Sequence, residues 1–152
     1  MYRLKNGEMP ATLKPGLWWL MIGTNDVVQG DCDVDAVVAG IITVAQEILR
    51  RDEINRQSDP STVVLNSLFP RVTLDADPLW ETIQEINQRL ECYASTTQGM
   101  DFFNATTIFV NDATGKIDAK AFEQDGIHLT AHGMRIWEEA IVLKTVSLVD
   151  HT

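Results

Sequence analysis

The sequence predicts an α/β fold, a three-layer α/β/α sandwich with helices on both faces of a parallel sheet. Three observations carry this. Short, wholly apolar runs bounded by turn residues read as buried parallel strands. Longer segments with apolar residues at helical spacing alternate with them. The earliest run, Leu17 to Ile22, is apolar on both faces, as a central strand would be. As the first strand of a fold it would risk being an exposed apolar edge, which natural proteins avoid.

The elements follow in order. "LWWLMI" is the first strand, closed by the polar turn Gly23-Thr24-Asn25-Asp26. "DVDAVVAGIITVAQEILRRDEI" carries Val34, Val37, Val38, Ile41, Ile42, Ala45, Ile48 and Leu49 at helical spacing, with Asp33 or Asp35 to cap its first turn. "TVVLNSLFP", Thr62 to Pro70, is the second strand with its closing turn. "DADPLWETIQEINQRLECYAS" is a second helix with Pro78 near its start and an apolar face of Leu79, Ile83, Ile86 and Leu90. "MDFFNA", Met100 to Ala105, is a short third strand. A long, mostly irregular connection leads to a last helix with Thr130 as N-cap. Loops of this length are often functional. In parallel sheets, ligands bind at the carboxyl ends of the strands.

The 152 residues suit one domain, Met1–Thr152. The net charge of −10 argues against nucleic acid and anionic membrane surfaces as partners. Acidic charge of this kind serves mostly solubility. No apolar run approaches the roughly 20 residues of a transmembrane segment. "MYRLKNGEMPATLKPG" has no apolar core of a signal peptide, and the compartment stays unknown. Cys32 and Cys92 show no metal spacing and read as free thiols.

Two pieces could carry chemistry. Asp125 and His128 stand three apart before the last helix. In acyl hydrolysis a His takes the nucleophile's proton while a carboxylate holds the imidazole in the right tautomer. The plain alternative is a helix entry with exposed polar side chains. Asn25 ends the first strand, where its amide could stabilise an oxyanion. Alternatively Asn25 and Asp26 simply make a turn.

Together, "IGTND" and "DGIHLT" resemble the G-x-N-D and D-x-x-H blocks of the SGNH hydrolase superfamily, also called the GDSL family of esterases and lipases. With "RLKNGEMP" and "LFPR" included, the chain from Arg3 to Ile141 is similar to the branch holding the catalytic subunits of intracellular platelet-activating factor acetylhydrolase. The resemblance implies a flavodoxin-like fold, a small-molecule ester or lipid substrate, and no metal or cofactor. It makes His128 the general base, Asp125 its orienting partner and Asn25 an oxyanion donor. The related subunits dimerise, which leaves a homodimer as an assembly to test.

The family's nucleophile lies in a G-D-S block near the N-terminus, and this sequence contains no G-D-S and no G-x-S-x-G. Gly7 matches a position after the family's oxyanion glycine, so that role is not carried onto it. Of Ser58, Ser61, Ser67, Ser95 and Ser147, only Ser67 sits at a strand end, and the family does not use that strand. The expectation is an N-terminally incomplete domain, missing its first two strands and the helix between them. Alone it would be inactive and poorly stable or prone to aggregate. The alternative is a non-catalytic relative that binds a ligand or partner.

Three further patterns are weighed. His128 and His132 have the i, i+4 spacing of zinc hydrolases but no Glu between them, and Thr130 leaves His128 outside the helix. Asp26, Asp31, Asp33 and Asp35 lack the Gly and closing Glu of a calcium loop. Trp18 and Trp19, as strand neighbours, should pack into opposite layers.

Overall fold

The computed structural model describes residues 4, 9, 12, 16–29, 32–56, 61–71, 78–111 and 113–150. Three strands, β1 (Leu17–Leu20), β2 (Thr62–Asn66) and β3 (Met100–Phe103), form a parallel sheet in the order β1-β2-β3. Leu17 pairs with Thr62, and Val63 with Met100. Each crossover contains a helix, as a parallel connection requires: α2 (Val34–Arg56) and then α3 (Pro78–Thr96). A short helix, α1 (Thr24–Gln29), follows β1, and α4 (Ala131–Val149) ends the described chain.

Strand alternation sorts the side chains into two cores. Trp18, Leu20, Val63, Leu65, Met100 and Phe102 pack with Val37, Ile41, Ala45 and Ile48 of α2 and Ile83, Ile86 and Leu90 of α3. On the other face Met21, Phe69 and Phe103 pack with Phe109, Phe122 and Trp137, the last from α4. Lys144 of α4 also bonds Asp101 of β3 at 2.8 Å. Helices thus cover both faces, and the three-layer α/β/α architecture stands. The two tryptophans separate as expected, with Trp19 edge-on to Phe103 at 5.2 Å.

The helix starts were legible. Asp33 Oδ1 accepts from Ala36 N–H at 2.7 Å, a cap just ahead of α2. Thr130 Oγ1 accepts from Gly133 N–H at 3.2 Å, a cap on α4. Three expectations need correction. The strands are shorter: β1 ends at Leu20, β2 at Asn66 and β3 at Phe103. Gly23 to Asp26 is not a free turn. Gly23, at φ +108°, turns the chain into α1, whose first turn holds Asn25 and Asp26. The described residues of the long connection are also ordered, by local hydrogen bonds in which the Asn104, Asn111 and Asp118 side chains accept from nearby backbone N–H groups. The connection holds 3₁₀ turns at Ala105–Ile108 and Ala119–Ala121 and a two-stranded ribbon of β4 (Val110–Asn111) and β5 (Lys116–Ile117).

Candidate active site

The loop before α4 is built to hold one imidazole. Phe122 bridges Leu129 across it, and Glu123 N–H donates to His128 O at 2.8 Å. Gly126, buried with φ +67°, makes the reversal in a conformation that side chains disfavour. Asp125 Oδ1 accepts from the backbone N–H groups of Ile127 and His128 at 2.9 and 3.0 Å. Its Oδ2 lies 2.6 Å from His128 Nδ1. That contact assigns the ring proton to Nδ1 and leaves Nε2 as the basic nitrogen. The hydrogen bond from His128, joined by the two backbone donors, holds the Asp125 carboxyl down at about 2 against an ordinary 3.8. Asp125 is therefore a carboxylate at neutral pH.

The loop is anchored at its base. Thr130 N–H donates to Ala121 O at 2.9 Å, and Thr130 Oγ1 donates to Lys120 O at 2.8 Å. Gly133 then passes so close to Ala121 O that an added Cβ would stand 2.1 Å from it. One face of α4 and the loop thus share a single fit.

His128 opens onto a cavity of about 290 Å³ past the carboxyl ends of β1 and β2. Met21, Thr24 and Asn25 line one side of it; Phe69, Pro70 and Arg71 line another. Ile127, Leu129, Met134 and Trp137 complete it. The structure therefore brings Asn25 and His128, 103 positions apart, to one apolar hollow beside the Asp125–His128 pair. The Asn25 amide is exposed and has no hydrogen-bond partner among the described residues. A base, its orienting carboxylate and an amide donor around an apolar hollow can bind and polarise a carbonyl compound.

Ser67 does not join them. It is fully buried and does not line this cavity. Its Oγ has no partner among the described residues. His132 turns to Asp118, 3.5 Å away, and not toward His128. Asp35 pairs with Arg89 at 2.7 Å, while Asp31 and Gly7 lie outside the described residues. Among the described residues, no group of three or more His, Cys, Asp or Glu could hold a metal ion, and Cys32 and Cys92 are free. No helix of the described residues is long and apolar enough to cross a membrane.

Of the cavity residues, sequence reasoning named only Asn25 and His128; it missed the others, Met21, Thr24, Phe69 and Trp137 among them. Each reads as an ordinary core or turn residue in its own segment; only tertiary contact makes them walls.

Comparison with known proteins bears on the family and the fold of the chain. The model of the GDSL-like Lipase/Acylhydrolase family matches residues 2–136. No curated protein matches the chain. Among solved structures, one described as a GDSL-like lipase from Bacteroides thetaiotaomicron superposes with TM-score 0.70 at 24% identity over 88% of this chain. An acylhydrolase-type structure from Bacteroides fragilis gives 0.68 at 19% over 88%. A structure described as a platelet activating factor from Streptococcus pneumonia gives 0.66 at 21% over 82%. At such identities the likeness is one of fold. The chain spans 57%, 62% and 63% of the length of the Streptococcus, B. fragilis and B. thetaiotaomicron structures.

Proposed function

The chain belongs to the GDSL-like lipase/acylhydrolase family, and from that premise we propose that it carries the acid–base half of a serine ester hydrolase. The observation that supports this is the 2.6 Å Asp125–His128 contact at the rim of a cavity that Asn25 also lines. In this reading a serine hydroxyl attacks the ester carbonyl as His128 Nε2 takes its proton. Asp125 stabilises the imidazolium that results, and the Asn25 amide donates to the tetrahedral oxyanion. Collapse expels the alcohol with a proton returned from His128. Water then repeats the sequence to release the acid. Small-molecule esters are the substrate class.

The serine is proposed to lie outside the 152 residues. The sequence has no Gly-Asp-Ser, and the one serine at a strand end, Ser67, is buried and does not line the cavity. The same features would suit a domain completed by further strands ahead of β1, since LWWL is an apolar sheet edge among the described residues. Alone, the chain is proposed to be catalytically silent.

The coding sequence upstream of Met1 is the place to look. If an in-frame Gly-Asp-Ser follows an apolar strand there, the longer protein should react with a fluorophosphonate probe. That labelling should disappear in His128→Ala, while residues 1–152 alone should not react. Labelling of the 152-residue chain that is lost in Ser67→Ala would overturn the assignment. An in-frame stop with no such block would favour a non-catalytic ligand-binding relative.

A further inference from the structure

One polar pair, a buried amide and a half-buried indole, takes no part in that chemistry. Asn66, at the end of β2, is 3% exposed. Its Oδ1 accepts from Trp137 Nε1–H at 3.0 Å, across 71 positions, and its Nδ2 donates to the Ser67 carbonyl at 2.7 Å. The second bond turns the amide so that its oxygen meets the indole. Filling the space under α4 does not require this. An apolar residue would do so without the cost of burying an amide. What the pair adds is a fixed indole orientation.

The indole is also clamped from the side. Trp137 stands edge-on to Phe69 at 5.3 Å and 87°, and Phe69 stands edge-on to Phe109 at 5.2 Å. Phe109, 1% exposed, meets Phe122 at 5.2 Å, and Phe122 bridges the loop that carries His128. Both Trp137 and Phe69 line the cavity. A methionine wall would yield to a longer ligand, because its unbranched side chain repacks. A T-stacked, hydrogen-bonded indole does not.

We infer that Trp137, oriented by Asn66, is the end wall of the substrate tail site and sets the length of apolar chain the cavity accepts. Asn66 is a positioning residue in this scheme; Trp137 touches the tail. The inference rests on the ester-hydrolase reading of the same cavity and deepens it. Each methylene taken from water into the cavity should tighten binding about fourfold. The gain should continue only until the chain reaches the indole.

The test is a binding series on the full chain with straight-chain carboxylates from acetate to octanoate, which stand for the acid product. NMR shifts of the His128 ring and the Trp137 indole N–H report occupancy. In the native chain, affinity should climb with length and then stop or fall. Trp137→Ala should move that break to longer chains, with about a further fourfold per added methylene. Trp137→Phe keeps the contact with Phe69 and loses the hydrogen bond. It serves if the alanine variant does not fold, and should shift the break less. Asn66→Leu should blur the break without moving its centre far. Equal loss at every length, or an unmoved break in both tryptophan variants, would overturn the inference and reduce Trp137 to core packing. If no carboxylate perturbs His128 in the native chain, the ester reading of the cavity fails with it. Binding with an unmoved break fails the wall alone.

Discussion

Gly133→Ala tests whether the His128 loop rests on α4. Gly133 is the third residue of that helix and is buried. In an exposed helix interior the change would stabilise by roughly 0.8–1 kcal/mol, the propensity gap between the two residues. Here the new Cβ would lie 2.1 Å from Ala121 O, 3.0 Å from Ala121 C and 3.1 Å from Ala121 Cα. These are backbone atoms, so no rotamer change relieves the clash. The oxygen has to retreat by about 1 Å, and it accepts the Thr130 N–H at 2.9 Å. Overpacking of this kind costs about 1–3 kcal/mol, and loss of the Thr130 bond about 0.5–1.5 kcal/mol. The clash wins. Net destabilisation should be about 1–3 kcal/mol, read as a lower urea midpoint at unchanged slope. Loosening of the loop should also return the Asp125 carboxyl toward its ordinary range in a carbon-13 titration. Gly40→Ala is the control. Gly40 is an exposed residue of α2 where an added Cβ meets nothing within 4 Å. There the same change should leave the protein equally stable or raise stability by up to about 1 kcal/mol. If Gly133→Ala stabilises as Gly40→Ala does, with Asp125 unmoved, the loop does not depend on the helix.

Three more outcomes can be checked. Asp125 titrates at about 2, below its ordinary 3.8, so the order it lends the loop is complete above 3.8 and lost as pH falls through about 2; amide exchange of Ile127 and His128 should show this window, and Asp125→Asn should show none of it. Ser67→Ala should change stability by no more than about 1 kcal/mol in either direction, because the hydroxyl it removes is buried without a partner among the described residues; a loss of several kcal/mol in the urea melt would refute this. The apolar edge strand β1 and the exposed Val142, Leu143, Val146 and Val149 of α4 should make the isolated chain associate with concentration in sedimentation runs, whereas a monodisperse monomer melting cooperatively would count against an incomplete sheet.

The periodicities of this chain were enough for its layers. Val37, Ile41, Ala45 and Ile48 repeat at 3.6 because one helix face meets one sheet. Trp18 and Trp19 alternate because a strand has two faces, and Thr130 reads as a cap because its hydroxyl reaches a free N–H three residues on. The Asp125–His128 contact was also legible, since three residues of loop suffice to close it. The exact strand ends and the short helix at Asn25 were not legible, and the 3₁₀ turns after β3 and before the His128 loop were missed although Asn104 and Asp118 cap them by accepting from backbone N–H groups two residues on. The cavity lay further out of reach. Met21, Phe69 and Trp137 become neighbours only when β1, β2 and α4 meet. Nothing in "RIWEE" or "VLNSL" says that an indole will donate to an amide 71 positions away. Local order follows from spacing, because it is made within a few residues; the shape of the site follows from packing between distant segments, which only the folded chain decides.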